Sequence, residues 1–450
     1  MTFIRHQLSG DGVEFTVNEA CALVLFGPQD FSEGWICDKK DLNFILDKIK
    51  PGIEVKIVGP QNLLDLFSHE IQQKGGKVLS LVRRDGRFTV RFYSQNRRFL
   101  VSRENNRKTR VMIVDDSPTI LRILGKVIQE FSDLEVVAQV SNPREVEKLI
   151  DELRPDVVTL DINMPEIDGV TLAGRIAKSS ATPTLMVSSI SPEEGNQVLN
   201  ALEAGAFDYL QKPSSGIDRE YSEVLREKII LAAASRGRRY QKRNPVLPSA
   251  LQGVSEGLVA IGSSTGGTEA LREIFAAFPK QIPAIVVIQH IPAHFSRAFA
   301  ERMDRLFDFR VKEAEDGDII VPNQVLVAPG GRQMAFYRDG AQLRVRITDD
   351  PPVNRHKPSV DYSFDSLLAC RPEKLVGVIL TGMGGDGAKG LLKIRQAGFH
   401  TIGQNEASCV VYGMPRVAKE LGAVAEEVDL HLIPEAILRA CSKSKNLKSA

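Results

Sequence analysis

Residues 257–267 read Gly-Leu-Val-Ala-Ile-Gly-Ser-Ser-Thr-Gly-Gly. Leu258 to Ile261 is an apolar run of strand length, and Thr268 to Arg272 reads as the opening of a helix. A strand, a Gly-rich turn and a helix lift one side chain above a sheet edge and set a helix N-terminus beneath it. Gly262-Ser263-Ser264-Thr265-Gly266 fits the spacing G-x-S-x-G, with Ser264 in the exposed place. Glycines on both sides permit a turn that a Cβ would obstruct. Two further apolar runs end in reactive groups. Ala284 to Gln289 runs into His290, and Leu375 to Leu380 runs into Thr381-Gly382-Met383-Gly384-Gly385-Asp386-Gly387. Sites in parallel α/β sheets gather at the carboxyl ends of strands. Ser264, His290 and Asp386 are therefore a candidate nucleophile, base and orienting carboxylate. Their order along the chain is not the Ser, Asp, His order of α/β-hydrolases, so the elbow spacing does not imply that fold. Taken alone, the turn also reads as a phosphate or dinucleotide loop. It lacks the Lys-Ser/Thr ending of a P-loop.

Upstream, four more apolar runs end in polar groups. Arg110 to Val114 leads to Asp115 and Asp116, and Asp156 to Leu160 leads to Asp161. Thr184 to Val187 leads to Ser188 and Ser189, and Phe207 to Gln211 leads to Lys212. Helical segments separate them at Thr119 to Phe131, Pro143 to Leu153, Gly169 to Lys178 and Gly195 to Ala204. Alternating strand and helix implies a parallel, doubly wound sheet. Three aspartates, a hydroxyl and a lysine then meet at one sheet edge. Clustered carboxylates repel unless a cation joins them, and hard oxygen ligands suit Mg²⁺. With that charge neutralised, one carboxylate can attack a phosphoryl donor. The alternative is a set of carboxylates solvated at loop tips.

These residues closely resemble the response-regulator receiver family. The motifs are Val114-Asp115-Asp116, Leu160-Asp161-Ile162-Asn163-Met164-Pro165, Asp168-Gly169, Val187-Ser188-Ser189 and Lys212-Pro213. The resemblance implies a flavodoxin-like fold with Asp161 as phosphoacceptor. It implies Mg²⁺ on Asp115, Asp116, Asp161 and the Asn163 carbonyl. Ser188 and Lys212 would answer the phosphoryl group, Tyr209 would be the switch aromatic, and a histidine kinase would be the phosphodonor.

Residues 253–443 resemble the chemotaxis receptor methylesterase family, of the CheB type. The likeness lies in Ile261 to Thr268, Gln289-His290-Ile291-Pro292, Lys357 to Asp361, Leu380 to Gly387 and Glu406 to Pro415. It implies a Rossmann-like domain that hydrolyses glutamate methyl esters, and deamidates glutamine, on chemoreceptor cytoplasmic domains. Ser264, His290 and Asp386 would carry the chemistry, and backbone N–H groups near Thr265 and Met383 would form an oxyanion hole. No cofactor is expected there. Ser263 stands where the family usually has alanine. His294 and His356, near these motifs, read as surface or substrate-groove residues, and Cys409 as buried.

Residues 1–106 show strand-like runs at 21–26, 52–58, 78–82, 88–92 and 99–101, with helical patterns over 40–50 and 62–74. They suggest an α+β domain faintly similar to the receptor glutamine deamidase family, of the CheD type. Cys21 would stand for that family's nucleophile. Where its histidine is expected the chain reads Gly34-Trp35-Ile36-Cys37, so the base is missing. Cys21 then reads as a small buried residue, or the domain as a non-catalytic docking relative.

The expected organisation is an N-terminal domain (1–106), a receiver (108–235), a tether (236–252) and a catalytic domain (253–443). The tether carries a basic run, Arg236 to Arg243, read as solvated, with an acidic partner as the alternative. A chain of 450 residues suits two to four domains. Hydrophobic content of 43% and charged content of 26% are ordinary for globular domains. Net charge of +1 argues against nucleic-acid binding through bulk charge. There is no apolar run of about 20 residues to span a membrane, and no signal peptide. Five scattered cysteines (Cys21, Cys37, Cys370, Cys409, Cys441) show no metal spacing and suit reduced thiols in a cytoplasmic protein.

Overall fold

The computed structural model describes residues 108–189, 194–212, 218–236, 256–293 and 295–442, and the backbone of eight strands between residues 2 and 103. The chain divides into two compact units, Met1–Lys108 and Thr109–Ala450.

In the first unit, β1 (Thr2–Arg5), β3 (Ala22–Phe26), β4 (Glu33–Cys37), β5 (Glu54–Gly59) and β6 (Lys77–Arg83) form one sheet in the order β1-β4-β3-β5-β6. A second sheet has the order β2-β7-β8, from Val13–Val17, Phe88–Tyr93 and Arg98–Arg103. Strands β1, β2 and β4 were not expected from sequence. Each is short, and β4 (Glu-Gly-Trp-Ile-Cys) has no apolar run. The helices expected over 40–50 and 62–74, and Cys21, lie outside the described residues.

The second unit opens with a five-stranded parallel sheet, order β10-β9-β11-β12-β13. These are Thr109–Val114 (β9), Leu134–Val140 (β10), Val157–Leu160 (β11), Thr184–Ser188 (β12) and Asp208–Gln211 (β13). Helices α1 (Pro118–Gln129), α2 (Val146–Leu153), α3 (Gly169–Ser179), α4 (Glu194–Ala204) and α5 (Arg219–Ser235) connect them and close the domain. This is the flavodoxin-like order. Strand β10 was not expected. It lies at the sheet edge, its middle is only partly buried, and it lacks the continuous apolar run of the inner strands.

A seven-stranded parallel sheet follows, order β16-β17-β15-β14-β20-β21-β22. Its centre is β14 (Leu258–Ser263), flanked by β15 (Ala284–Gln289) and β20 (Leu375–Ile379), and every residue of these three strands is buried. Outside them lie β16 (Arg310–Glu313), β17 (Gln324–Val327), β21 (His400–Gln404) and β22 (Glu426–Val428). The hairpin β18–β19 (Gln333–Asp339, Gln342–Thr348) stands apart from this sheet. Helices α6 (Gly267–Ala277), α7 (Phe295–Leu306), α8 (Val360–Ala369), α9 (Ala388–Gln396), α10 (Met414–Glu420) and α11 (Ile433–Ser442) cover the faces. After β14 the chain fills one side with β15, then the edge strand β16, then β17 between them, and returns to the other side of β14 with β20. The strand order therefore reverses between β14 and β20. The crevice outside their carboxyl ends is the topological switch point where such sheets bind ligands.

The two parallel-sheet domains pack together within this unit. One apolar core runs through both and includes Leu199, Leu202 and Tyr209 of the first domain with Phe295 and Phe299 of the second. No helix among the described residues is long and apolar enough to cross a membrane.

Candidate active site

Ser264 follows β14, and His290 follows β15. The last register pair of these strands is Ser263 with Gln289, so the two candidate groups leave adjacent strand ends. The final backbone bond of the ladder runs from His290 N–H to Ser263 O, at 3.0 Å. Beyond it the Gln289 side chain takes over. Its Nε2 donates to the carbonyls of Ser264 (2.9 Å) and His290 (3.1 Å). Its Oε1 accepts from Ser263 Oγ at 2.6 Å. Gly267 makes room for this amide, since a Cβ there would lie 2.2 Å from Gln289 Oε1.

Asp386, on the loop after β20, reaches across the crevice. Its Oδ2 lies 2.8 Å from His290 Nε2 and accepts the Val360 N–H at 2.6 Å. Its Oδ1 accepts from Asn354 Nδ2 (2.7 Å), Ser359 Oγ (2.9 Å) and Asp361 N–H (3.2 Å). Ser359 caps helix α8, and Val360 and Asp361 are its first residues, so the carboxylate sits at a helix N-terminus that favours negative charge. Asp386 is 2% exposed. Burial by itself would raise its pKa; the His290 bond, the His290 charge, Asn354 and the Val360 N–H outweigh it and hold the carboxyl well below the usual range.

His290 Nδ1 is buried and has no partner among the described residues. The imidazole stacks on His356, with ring centroids 3.6 Å apart. Burial, then the neighbouring His290, pushes the His356 pKa down to about 3, so His356 is neutral near pH 7. His294 lies outside the described residues. Cys409 is buried, and that burial raises its thiol pKa, which disfavours the thiolate.

The structure thus joins His290 to Asp386 and places Ser264 just past the strand end adjacent to that of His290, and among the described residues Ser264 Oγ and His290 form no hydrogen bond. The loop after β20 is pinned against the nucleophile turn. Ser264 N–H donates to Thr381 O at 3.0 Å, and Thr381 Oγ1 donates to Thr265 O at 3.0 Å. Among the described residues the N–H groups of Thr265 and Met383 donate to nothing.

In the first parallel domain, ligand atoms of Asp115, Asp116 and Asp161 lie within 4.8 Å of one another. Lys212 Nζ bridges Asp115 (2.7 Å) and Asp161 (2.9 Å). Burial, with the neighbouring Asp115 charge, raises the Asp161 pKa against the lowering by Lys212. Burial lowers the Lys212 pKa, but its bonds to the two carboxylates outweigh this and leave it raised. Gly169 is required here, because a Cβ would lie 1.9 Å from the Asp161 carbonyl oxygen. Three clustered carboxylates with one lysine are a donor set that fits a hard divalent cation. Ser188 is buried at the end of β12, and its carbonyl accepts the Lys212 N–H at 2.7 Å. Asn163 follows Asp161 on the same loop.

The two sites meet through β13. Asp208 Oδ2 accepts from Thr265 Oγ1 at 2.8 Å, and Lys228 also pairs with Asp208. Tyr209 stacks on Phe295, the first residue of α7, at 4.7 Å. Glu203 and Asn200 on α4 hold Arg302 on α7, the Asn200 bond being 2.6 Å. Sequence reasoning assigned no role to Asp208, Gln289, Asn354, Ser359 or Phe295. A polar Gln289 closing a wholly apolar strand was the one available signal.

A receiver with an acidic pocket, fused to a parallel α/β domain bearing Ser, His and Asp at its switch point, defines a response regulator with a hydrolase as its output. The receiver family matches residues 111–219, and the CheB methylesterase family matches residues 259–437. The chain is 44% identical over 353 residues to the protein-glutamate methylesterase/protein-glutamine glutaminase of Salmonella typhi, covering 76% of this chain and 99% of that protein. The same figures, over 350 residues, hold for the like-named protein of Pectobacterium atrosepticum. The Thermotoga maritima CheB methylesterase catalytic domain is 35% identical, with 41% of this chain and 98% of that one covered and a TM-score of 0.40. The chain belongs to the protein-glutamate methylesterase/protein-glutamine glutaminase family, and so to the carboxylic ester hydrolases. Both family matches begin after residue 110, so the deamidase-like reading of residues 1–106 gains no support from them.

Proposed function

We propose that this chain removes methyl groups from glutamyl esters, and deamidates glutamines, on the cytoplasmic domains of chemoreceptors, with its rate set by phosphorylation of Asp161. The observation that carries the catalytic half is the His290–Asp386 pair, 2.8 Å apart, at the switch point beside Ser264. His290 donates its Nε2–H to Asp386, which leaves the lone pair on Nδ1. That nitrogen receives the Ser264 proton as Oγ attacks the ester carbonyl. Asp386 then stabilises the imidazolium. The N–H groups of Thr265 and Met383 meet the oxyanion, and one such donor is typically worth about a hundred- to a thousandfold in rate. Methanol leaves with the proton held by His290, and water releases the acyl group as glutamate. Ammonia leaves instead when the substrate is glutamine. Forming the Ser264–His290 hydrogen bond requires a rotation of the Ser264 side chain or the imidazole.

On the receiver, Asp115, Asp116, Asp161 and the Asn163 carbonyl would hold Mg²⁺. The cation supplies charge neutralisation for phosphoryl transfer from a histidine kinase. Lys212 and Ser188 answer the phosphoryl group. Tyr209 and Asp208 connect that site to the hydrolase: one leans on Phe295, the other holds Thr265. We read this packing as the low-activity arrangement, in which the receiver covers the crevice. Residues 1–106 then serve as a separate docking domain and residues 236–252 as the tether.

The test is methanol release from methylated receptor membranes, with and without acetyl phosphate. Release should rise with the phosphodonor and vanish in Ser264→Ala. Undiminished release from Ser264→Ala would remove the serine mechanism.

A further inference from the structure

We infer that Gln289 is a positioning residue that sets the distance between nucleophile and base, an assignment that rests on Ser264 and His290 acting as proposed. The parallel ladder of β14 and β15 ends at Ser263 and His290, so backbone bonding between the strands cannot hold the turn beyond them. A single primary amide spans the gap. Both protons of Gln289 Nε2 are used, one on the Ser264 carbonyl (2.9 Å) and one on the His290 carbonyl (3.1 Å). The opposite end of the amide is held as well, since Ser263 Oγ donates to Oε1 at 2.6 Å. Ser263 is fully buried and Gln289 is 2% exposed, so water does not compete for these bonds. Gly267 packs over the amide so closely that a Cβ would lie 2.2 Å from Oε1 and 2.7 Å from Ser263 Cβ. A fully satisfied buried amide has one orientation, because turning it over would set Oε1 against two carbonyl oxygens. The backbone of the nucleophile and that of the base are therefore clipped to one rigid group.

The amide touches neither substrate nor reacting atoms. It acts through the carbonyls of the two residues that do. Displacing a catalytic group by about 1 Å can cost around a hundredfold in rate. Replacement of Gln289 by a side chain of similar length that cannot donate should therefore slow acylation without weakening binding. Ser263 has a smaller role. Its loss leaves both carbonyl bonds in place.

The experiment uses the full chain with acetyl phosphate and Mg²⁺. Gln289→Met, Gln289→Glu, Ser263→Ala and Ser264→Ala are each titrated with a fluorophosphonate to count reactive serines. Methanol release from methylated receptor membranes is then expressed per reactive site. Gln289→Met should lower kcat per site by about 10- to 100-fold with KM within about twofold. Gln289→Glu, which turns acceptors toward both carbonyls, should be slower still, and Ser263→Ala, which frees only the Oε1 end of the amide, should fall between the parent and Gln289→Met. A merely structural role gives the opposite pattern, with fewer titratable sites but the parental rate at each, and would overturn the assignment. If Gln289→Met keeps the parental rate per site while Ser264→Ala is inactive, only the positioning role fails. If Ser264→Ala turns over and takes up no label, the serine mechanism fails first.

Discussion

Thr265 donates a hydrogen bond to a receiver carboxylate, and Thr265→Val removes that donor while keeping the shape and the backbone N–H. The bond is 2.8 Å long, and its partners Thr265 and Asp208 are 3% and 4% exposed. A hydrogen bond to a charged group contributes about 1.5–3 kcal/mol net. Burial on both sides leaves little solvent screening to discount. In an open arrangement the Thr265 hydroxyl would bond to water, so the contribution favours the packed arrangement alone. One tenfold change in an equilibrium is about 1.4 kcal/mol, so losing this bond should raise the open population roughly 10- to 150-fold. Asp208 keeps Lys228 as its partner, so no buried charge is left alone. Asp208→Asn would be a poorer choice for that reason, because it strands Lys228 inside the receiver. The assay is methanol release with and without acetyl phosphate, taken as a ratio within each variant. The ratio cancels any direct effect of the valine on chemistry. It should fall by the same factor, down to a floor of one. A ratio equal to the parent's would refute the view that this bond holds the receiver over the site.

Three further outcomes can be measured. His356 has a pKa pushed below its unfolded value, to about 3, so its neutral form stabilises the fold fully above about pH 6.5, and that contribution is lost as pH falls toward 3. Between pH 7 and pH 5, His356→Gln should therefore lose about 2 kcal/mol less stability than the parent in urea titrations, and equal losses would reject the assignment. In ¹⁵N spectra of the imidazole near pH 7, the His290 proton should sit on Nε2, the nitrogen 2.8 Å from Asp386; a proton on Nδ1 would mean that the other nitrogen serves as base. Asp161→Asn should abolish acetyl-phosphate stimulation while leaving unstimulated methanol release within about twofold, and persistent stimulation would move the phosphoacceptor elsewhere.

Much of the architecture was written in local pattern. The inner strands β9, β11, β12, β14, β15 and β20 are buried throughout or nearly so, and such strands appear as unbroken apolar runs. Ser264, His290, Asp386, Asp115 and Asp161 were visible because each closes such a run or sits in the loop after it, and Lys212 because it follows the shorter, mixed strand β13. The edge strands β10, β16 and β22 were not visible. They are only partly buried and carry charged residues, so they lack the apolar run that marked the others.

By itself the sequence determined which groups stand at strand ends, and therefore which chemistries were possible. Only the tertiary structure decided their neighbours. Asp386 meets His290 because β20 returns to the far side of β14, and its charge is held by the start of α8, a helix whose link to Asp386 no periodicity reveals. Asp208 meets Thr265 across 57 residues of chain. The reason is physical. Side-chain periodicity reports burial within one element, whereas contact between elements depends on sheet order, on the direction of each crossover and on how two finished domains pack.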